Sequence, residues 1–412
     1  MRGVHLRVAM ALILVATAVL TACGGGADAG PERASTANAR TTGTAGPATP
    51  SSPAGTSATR TSAPRTSAPG ASAHATPSRT AVDRSRAADG PITGARTAEP
   101  ITIAFAGDIH FQKQVRALLD DPDTSLASLR PELASADLAI ANLETSVTTR
   151  GAPEQKDFTF RAPATAFEAV AAAGVDVVTM ANNHGVDYGP QGLHDTLSAA
   201  AHAPLAVVGI GADADAAFAP YVATIRGTRV AVIGADDVSD PTTAHFSAGP
   251  GKAGVASALD PTRLIAAVRA ARRTADVVVV YLHWGTELVG CPTDAQRELA
   301  HKLAAAGADV VAGTHAHVQL GAGKLDGYDT FVAYGLGNFV WYNRSSQRTI
   351  TTGVLTISLR GRKVTSARWA PATVQADGIP AFATGERRQE MRRDWADLRS
   401  CTDLHGVPEP PV

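Results

Sequence analysis

Gly307-Ala308-Asp309-Val310-Val311-Ala312-Gly313-Thr314-His315-Ala316-His317-Val318 reads as a short buried strand, Val310 to Ala312, that runs into a glycine and then delivers two histidines at i and i+2. In an extended chain such positions share a face, so both imidazoles reach one point in space. That is a way to hold a metal ion. The alternative is a pair of polar residues in a loop, and the rest of the chain has to decide between them.

Working outward, apolar β-rich runs alternate with helical patterns. Ile101 to Ala106 is a strand that ends in Gly107-Asp108-Ile109-His110, with a helix pattern from Gln112 to Leu119. Leu138 to Ala141 runs into Asn142-Leu143-Glu144. Pro163 opens a helix to Ala173, and Val175 to Met180 ends in Ala181-Asn182-Asn183-His184. Gly189-Pro190 starts a helix to about Ala201. Strands at Val222 to Ile225 and Val230 to Ala235 precede a helix from Pro261 to Arg272. Val277 to Leu282 is the most strand-like run and ends in His283-Trp284-Gly285; Asp294 caps a helix to Ala306. Thr330 to Tyr334, Gly353 to Leu359 and Val364 to Trp369 are strands without helices between them. The pattern predicts one α/β domain with a largely buried central sheet and a second, more antiparallel layer.

The histidines sort by position. His110, His184, His283, His315 and His317 all lie where a strand meets its loop, as do Asp108, Glu144 and Asn183. The carboxyl ends of strands line the binding crevice of α/β sheets, so residues far apart in sequence are expected to converge. His194, His202 and His301 fall on helix patterns and His245 in a polar loop, where packing or surface roles suffice; His5, His74 and His405 lie outside the domain. Imidazole, carboxylate and amide oxygen together suit Zn, Mn, Fe or Ni rather than Ca or Mg. Five histidines, two carboxylates and an amide are too many for one tetrahedral ion and about right for two.

The two ends of the 412-residue chain belong to other classes of sequence. Arg2 and Arg7, an apolar run from Val8 to Val19, and Leu20-Thr21-Ala22-Cys23 form a charged region, an apolar core and a small-residue cleavage site, too short to span a membrane. Leu-Thr-Ala-Cys resembles the lipobox of bacterial lipoproteins, which implies acylation of Cys23 and an extracytoplasmic protein anchored to the cell membrane. Residues 24–99, rich in Thr, Ser, Ala, Pro and Gly, read as a disordered stalk. A net charge of −1 without a concentrated basic patch argues against a nucleic-acid partner. Of the three cysteines, Cys291 and Cys401 remain to pair as a disulfide in an oxidising compartment.

Asp108-x-His110, Asn142-Leu143-Glu144, Asn182-Asn183-His184, His283-Trp284-Gly285 and Gly313-Thr314-His315-Ala316-His317 resemble, in that order, five blocks of the calcineurin-like metallophosphoesterases. More closely they resemble the CapA (poly-gamma-glutamate capsule) branch, as does Gly335-Leu336-Gly337-Asn338-Phe339. The resemblance implies an α-β-β-α sandwich over 100–372, followed by a tail, 373–412, tethered to it. It also implies two divalent ions: one held by Asp108, His110 and His317, the other by Asn183, His283 and His315, with Glu144 bridging. His184 then stabilises charge or protonates a leaving group. Two departures stand out. Asn-x-Glu replaces the usual Gly-Asp-x-x-Asp, and Gly185 follows His184 in place of an acid, a gap that Asp187 can fill from the next turn. Arg161 is a candidate clamp for phosphate or carboxylate, Glu287 for an amine, and each is equally a structural ion-pair partner; Asn338 is a substrate contact or a turn residue. The implied role is in synthesis, release or attachment of an anionic envelope polymer, on a glutamyl or phosphate substrate. A non-catalytic part in a polymer synthesis or export complex, and a general phosphoesterase, are the alternatives. Cys23→Ser is expected to release the protein from membranes into the soluble fraction; tight association of the variant on fractionation would reject the anchor.

Overall fold

The computed structural model describes residues 99–410. The expected leader, Cys23 and all of the expected stalk but residue 99 lie outside these residues.

Two mixed sheets stack face to face. In the first, eight-stranded sheet, Ile101–Ile109 runs parallel to Leu138–Leu143, followed outward by Val177–Thr179 and Ala206–Val208. On its other side come the antiparallel strands Thr351–Arg360, Lys363–Val374 and Pro380–Phe382. Asn338–Val340 pairs with the end of Ile101–Ile109. In the second, seven-stranded sheet, Val277–His283 lies between Thr228–Asp236 and Val310–Thr314, all parallel. Phe331–Ala333 continues it, and Tyr221–Ile225, Ala322–Leu325 and Leu404–His405 add antiparallel edges.

The side-chain alternation explains the layering. Val277, Val279 and Tyr281 pack between the sheets with Ile101, Ile103 and Phe105. Val278, Val280 and Leu282 face the other way, onto Leu264 and Val268 of helix Thr262–Arg272 and Leu299 and Leu303 of helix Asp294–Ala306. On the outer face of the first sheet, Ala104, Ala139 and Ala141 present small side chains, and Phe167 and Val170 of helix Thr165–Ala172 fill that layer. Strands covered on both faces read as continuous apolar runs, as Val277 to Leu282 does. The result is the α-β-β-α sandwich.

One irregularity sets the site. Between Phe105 and Asp108 the first strand advances three residues while its partner advances two, from Ile140 to Asn142, so a bulge sits at Ala106-Gly107. Strict alternation would put Asp108 on the outer face with Ala104. The extra residue turns it inward, and Ile109 accordingly joins the outer cluster with Ala104 and Ala106. Gly107 is required there: a Cβ would fall 1.9 Å from the Gly337 carbonyl oxygen. The Tyr281 hydroxyl crosses from the second sheet and donates to the Ala106 carbonyl at 2.5 Å.

Several expectations are corrected by local physics. Residues 113–120 form 3-10 rather than α turns, opened by Lys113 at φ +51° with its ammonium over the Tyr342 ring. Helix Asp294–Ala306 is capped by Thr293, whose hydroxyl accepts from Gln296 N–H while Gln296 accepts from Thr293 N–H; Asp294 is the first helical residue. The segment after residue 372 is no tail. It supplies edge strands to both sheets and helix Gly385–Asp397, whose Trp395 stacks on Trp369 at 5.3 Å. His405 therefore lies on an edge strand of the domain, opposite Lys324. Cys291 and Cys401, 110 residues apart in sequence, are disulfide-bonded. Among the described residues no helix is long and apolar enough to cross a membrane.

Tyr281→Phe removes the bond that satisfies the bulge carbonyl. It is expected to lower unfolding free energy by about 1–3 kcal/mol, the penalty of an unpaired buried acceptor, read from the urea midpoint. An unchanged midpoint would show that the bulge does not depend on this contact.

Candidate metal centre

The parallel strands of both sheets end at the same place. Asp108 lies opposite Asn142 in register, and His283 lies opposite Thr314 on one side and Asp236 on the other. Asp108, Glu144 and His283 each offer a donor atom, all within 4.8 Å of one another, and all three residues are buried. Around His283 Nε2 the crowding is tighter: Asn183 Oδ1 is 3.0 Å away, His315 Nδ1 3.2 Å and Glu144 Oε1 3.8 Å. Donors about 2.0–2.2 Å from a tetrahedral ion stand about 3.3–3.6 Å apart, and these separations fall on either side of that range by a few tenths of an ångström. His283 Nδ1 is held between Thr314 Oγ1 at 3.1 Å and the Asn142 amide nitrogen at 3.2 Å, which fixes the ring with Nε2 toward that shared point.

Asp108 and His317 flank this group. Asp108 Oδ2 is 3.4 Å from His317 Nδ1 and accepts from the His315 amide at 3.3 Å. His317 Nδ1 gives its proton to Asn338 Oδ1 at 2.9 Å, which leaves Nε2 free, 4.0 Å from Glu144 Oε1. Asn182 donates to Asn142 Oδ1 at 2.9 Å, and Asn142 donates to Asp108 Oδ1 at 2.8 Å, so a chain of oriented amides fixes the carboxylate. His110 is fully buried, with Nε2 accepting from Tyr342 N–H at 3.3 Å and Nδ1 unpartnered.

Glu144 carries the main test of fit. It is fully buried, and neither of its carboxylate oxygens has a hydrogen-bond partner among the described residues. Burial, with the charges of Asp108 and Glu287 added, pushes its carboxyl well above the usual range. Burial likewise pushes His110 and His283 well below the ordinary imidazole value and His315 to about 3, so all three imidazoles are neutral at pH 7. The His283 and His315 imidazoles, the Glu144 carboxyl and the Asn183 amide oxygen, which meet around His283 Nε2, are a donor set compatible with a borderline divalent cation, whereas the Nε2 of His110 is taken by the Tyr342 amide. A hydrogen-bonded protein interior has no use for that arrangement.

The two histidines of the opening stretch converge by a different route from the one their spacing suggests. His315 and His317 have φ of +88° and +54°, so they lie in a strained turn rather than an extended chain. Left-handed backbone at a non-glycine residue costs on the order of 1–2 kcal/mol, and the surrounding contacts hold it in place.

His184 faces the cluster from the other side. Its Nε2 is 3.7 Å from Glu144 Oε1, and its Nδ1 is 2.5 Å from Asp187 Oδ2. Asp187 thus fills the place left by Gly185. Burial lowers the His184 pKa and the Asp187 charge partly opposes that shift. Asp187 is itself held by Lys156 at 2.8 Å and by the Phe160 amide at 2.7 Å. Burial pulls the Lys156 ammonium down, but Asp187 and Asp240, 3.1 Å away, more than restore it. Lys156 also donates to the Asn183 carbonyl, tying this network to the residue whose side-chain oxygen lies 3.0 Å from His283 Nε2.

Sequence reasoning did not reach Lys156, Phe160 or Trp341. Phe160 stacks on His184 at 4.0 Å, and Trp341 stacks on His110 at 3.9 Å and lies against His317 at 4.6 Å, so two aromatic rings fix three imidazole planes. A lysine in a polar loop and a phenylalanine beside a strand carry no local sign of such contacts. Arg161 is not brought into the cluster: its guanidinium lies over the Tyr188 ring at 4.6 Å. Asn338 is buried behind His317, with its side-chain oxygen on His317 Nδ1 and its amide nitrogen taken by the His317 and Thr349 carbonyls, so it orients His317 and has no polar group left for a substrate. Glu287 is exposed and lines the mouth, a cavity of about 550 Å³ that also touches Lys156, Asn183 and His184.

Fold and site together define an α/β sandwich protein with a buried centre, compatible with metal binding, at the carboxyl ends of its parallel strands. The chain belongs to the bacterial capsule synthesis protein family PGA_cap, whose model matches residues 102–343. It is 32% identical over 246 residues to the PGA biosynthesis protein CapA of Bacillus subtilis strain 168, a match covering 58% of this chain and 63% of that protein, less than two thirds of its length. It is 28% identical over 303 residues to the capsule biosynthesis protein CapA of Bacillus anthracis, covering 70% and 71%. Among solved structures, a hypothetical protein from Thermus thermophilus aligns at TM-score 0.43 and 17% identity, over 66% of this chain and 99% of that one.

Glu144→Ala is expected to empty the centre as measured by elemental analysis of purified protein, whereas His184→Ala keeps its metal; equal loss in both would overturn the division of roles. Because the Glu144 carboxyl is raised in the metal-free protein and binds a cation only when ionised, metal affinity should rise with pH. Titration calorimetry in two buffers of different ionisation enthalpy should register the released proton.

Proposed function

We propose that this protein is a metal-dependent, hydrolase-like component of capsular polymer production that acts on a glutamyl polymer at the outer face of the cell membrane. Carrying this reading is the buried, unpartnered Glu144 carboxylate set among Asp108, His283, Asn183 and His315, in a chain whose relatives are named for capsule and PGA biosynthesis. The donor count supports two divalent ions, of Mn, Zn, Fe or Ni. Asp108, His110 and His317 would hold one and Asn183, His283 and His315 the other, with Glu144 between them. When bound, such ions supply Lewis-acid activation of water and of the bond to be cleaved.

The chain's own groups do the rest. Asp187 holds His184 by Nδ1, so Nε2 is the nitrogen that carries a proton toward the reacting atoms. Lys156 holds Asp187 in place through their ion pair, and Phe160 and Trp341 pack against the imidazoles of the site. Glu287 and Asp240 stand at the mouth, where an ammonium group of a substrate or acceptor can be received. The lipobox at Cys23 and the stalk support display from the membrane, beside a polymer synthesis or export complex.

Complementation of a strain lacking this gene tests the reading. Glu144→Ala is expected to abolish polymer at the cell surface. His184→Ala, still metal-loaded, should cut release of glutamate from a γ-linked oligomer by about 10²–10⁴-fold, the usual worth of a general acid or base. Normal polymer from metal-free Glu144→Ala protein would overturn a metal-dependent role. Normal polymer from His184→Ala protein would leave the centre a binding or assembly site.

A further inference from the structure

A second cavity, of about 240 Å³, lies where helix Gly385–Asp397 crosses the chain that leaves His317. It is smaller than the about 300–1,000 Å³ of drug-sized sites, so it suits a short segment of a chain rather than a cofactor. Met391 and Trp395, four residues apart on one helix face, make its apolar floor with Val318. Two features of its polar lining lack a partner. Gln319, 7% exposed, has an amide Nε2 with no hydrogen-bond acceptor among the described residues. Arg348, exposed at the rim, forms no ion pair among them. Arg387 brings a second guanidinium, held on its outer side by Glu390 at 2.7 Å, and Asp394 is the one carboxylate of the lining.

A ligand for this lining must carry an acceptor for a buried amide N–H, an anionic group for a guanidinium fork, and a short apolar stem between them. Each repeat of a γ-linked glutamate chain has these three parts: an amide carbonyl, an α-carboxylate and two methylenes. We propose that the pocket is a polymer-holding subsite for γ-linked polyglutamate, an inference that rests on the glutamyl reading of the proposed function. A carboxylate pairs with Arg348, assisted by Arg387; the amide carbonyl accepts from Gln319 Nε2; the methylenes lie on Met391 and Trp395. Asp394 disfavours a second carboxylate beside the first and so selects the spaced charges of a polymer over a compact polyanion. The subsite shares a wall with the metal centre. Val318 and Gln319 continue directly from His317, and Asn338, which holds His317, donates to the carbonyl of Thr349 next to Arg348. A chain held here is therefore anchored beside the loop that presents a metal-facing imidazole.

Calorimetry of the full-length, metal-loaded protein with a γ-linked glutamate hexamer tests this. Saturable binding is expected, weakened about tenfold or more by Arg348→Gln and by Gln319→Leu, with metal content unchanged, and with free glutamate and inorganic phosphate binding far more weakly. Arg348 is exposed, so its variant reports even if Gln319→Leu fails to fold. Hexamer binding that ignores Arg348→Gln, or phosphate or free glutamate binding as tightly as the hexamer, would overturn the subsite. The first result together with loss of polymer in Glu144→Ala cells would remove the subsite and leave the proposed function standing. Arg348-dependent binding together with normal polymer in those cells would do the reverse.

Discussion

The centre depends on one extra residue in the first strand. The bulge at Ala106-Gly107 reverses the side on which Asp108 emerges, and everything polar between the sheets is arranged around that reversal. Its carbonyl is satisfied from the opposite sheet by Tyr281. The room it needs is the missing side chain of Gly107, against which Gly337 packs, and the Asp108 amide donates to the Gly337 carbonyl at 3.0 Å. The next residue after Gly337 is Asn338, which holds His317. Asp108 and the His317 orienter are thus two ends of one backbone contact, and a side chain at Gly107 would displace both.

The interior so built is expensive for a protein of this kind. Three acidic groups and four imidazoles lie buried at the edge of an apolar sandwich, and most are matched: Asp108 by Asn142, Asp187 by Lys156, His283 by Thr314. Glu144 is not matched, and His315 and His317 hold positive φ. A buried carboxyl without hydrogen-bond partners and two strained residues within one cluster lower stability, and packing alone returns nothing for them. A cation placed among these donors reverses the largest of the penalties, which is why the same residues that weaken the metal-free fold are the ones suited to bind.

How much of this the sequence carries follows from the range of the forces involved. The alternation of strands and helices, and the placing of Asp108, Asn142, Glu144, Asn183, His184, His283 and His315 at strand ends, are local signals and are legible. The bulge is not, because period-two counting from Phe105 puts Asp108 on the wrong face and only the register with Ile140 and Asn142 reveals it. The His-x-His spacing points to convergence for an incorrect reason, since the turn is left-handed rather than extended. Lys156, Phe160 and Trp341 are distant in the chain from Asn183, His184 and His317, the site residues they touch. Their roles arise from tertiary contact alone. The polar segment after residue 372 looks unstructured because edge strands and a helix that buries a single face need few apolar residues.

That last segment gives the site its asymmetry. The family match ends at residue 343, and the ligand-bearing blocks all precede that point. Beyond it the Thr349 carbonyl accepts from Asn338 behind His317, and two further contacts come from the C-terminal segment. Through the Cys291–Cys401 bond it grips the loop that follows His283, and Leu288 of that loop, itself at φ +61°, donates its amide to the Ala316 carbonyl between the two histidines at 2.8 Å. Through helix Gly385–Asp397 it closes the cavity behind Val318 and Gln319. Both contacts bear on the turn that carries His315 and His317, one at Ala316 and the other just after it at Val318 and Gln319. The matched region therefore supplies the donors, while the C-terminal region holds the strained turn in place and shapes what can lie against it.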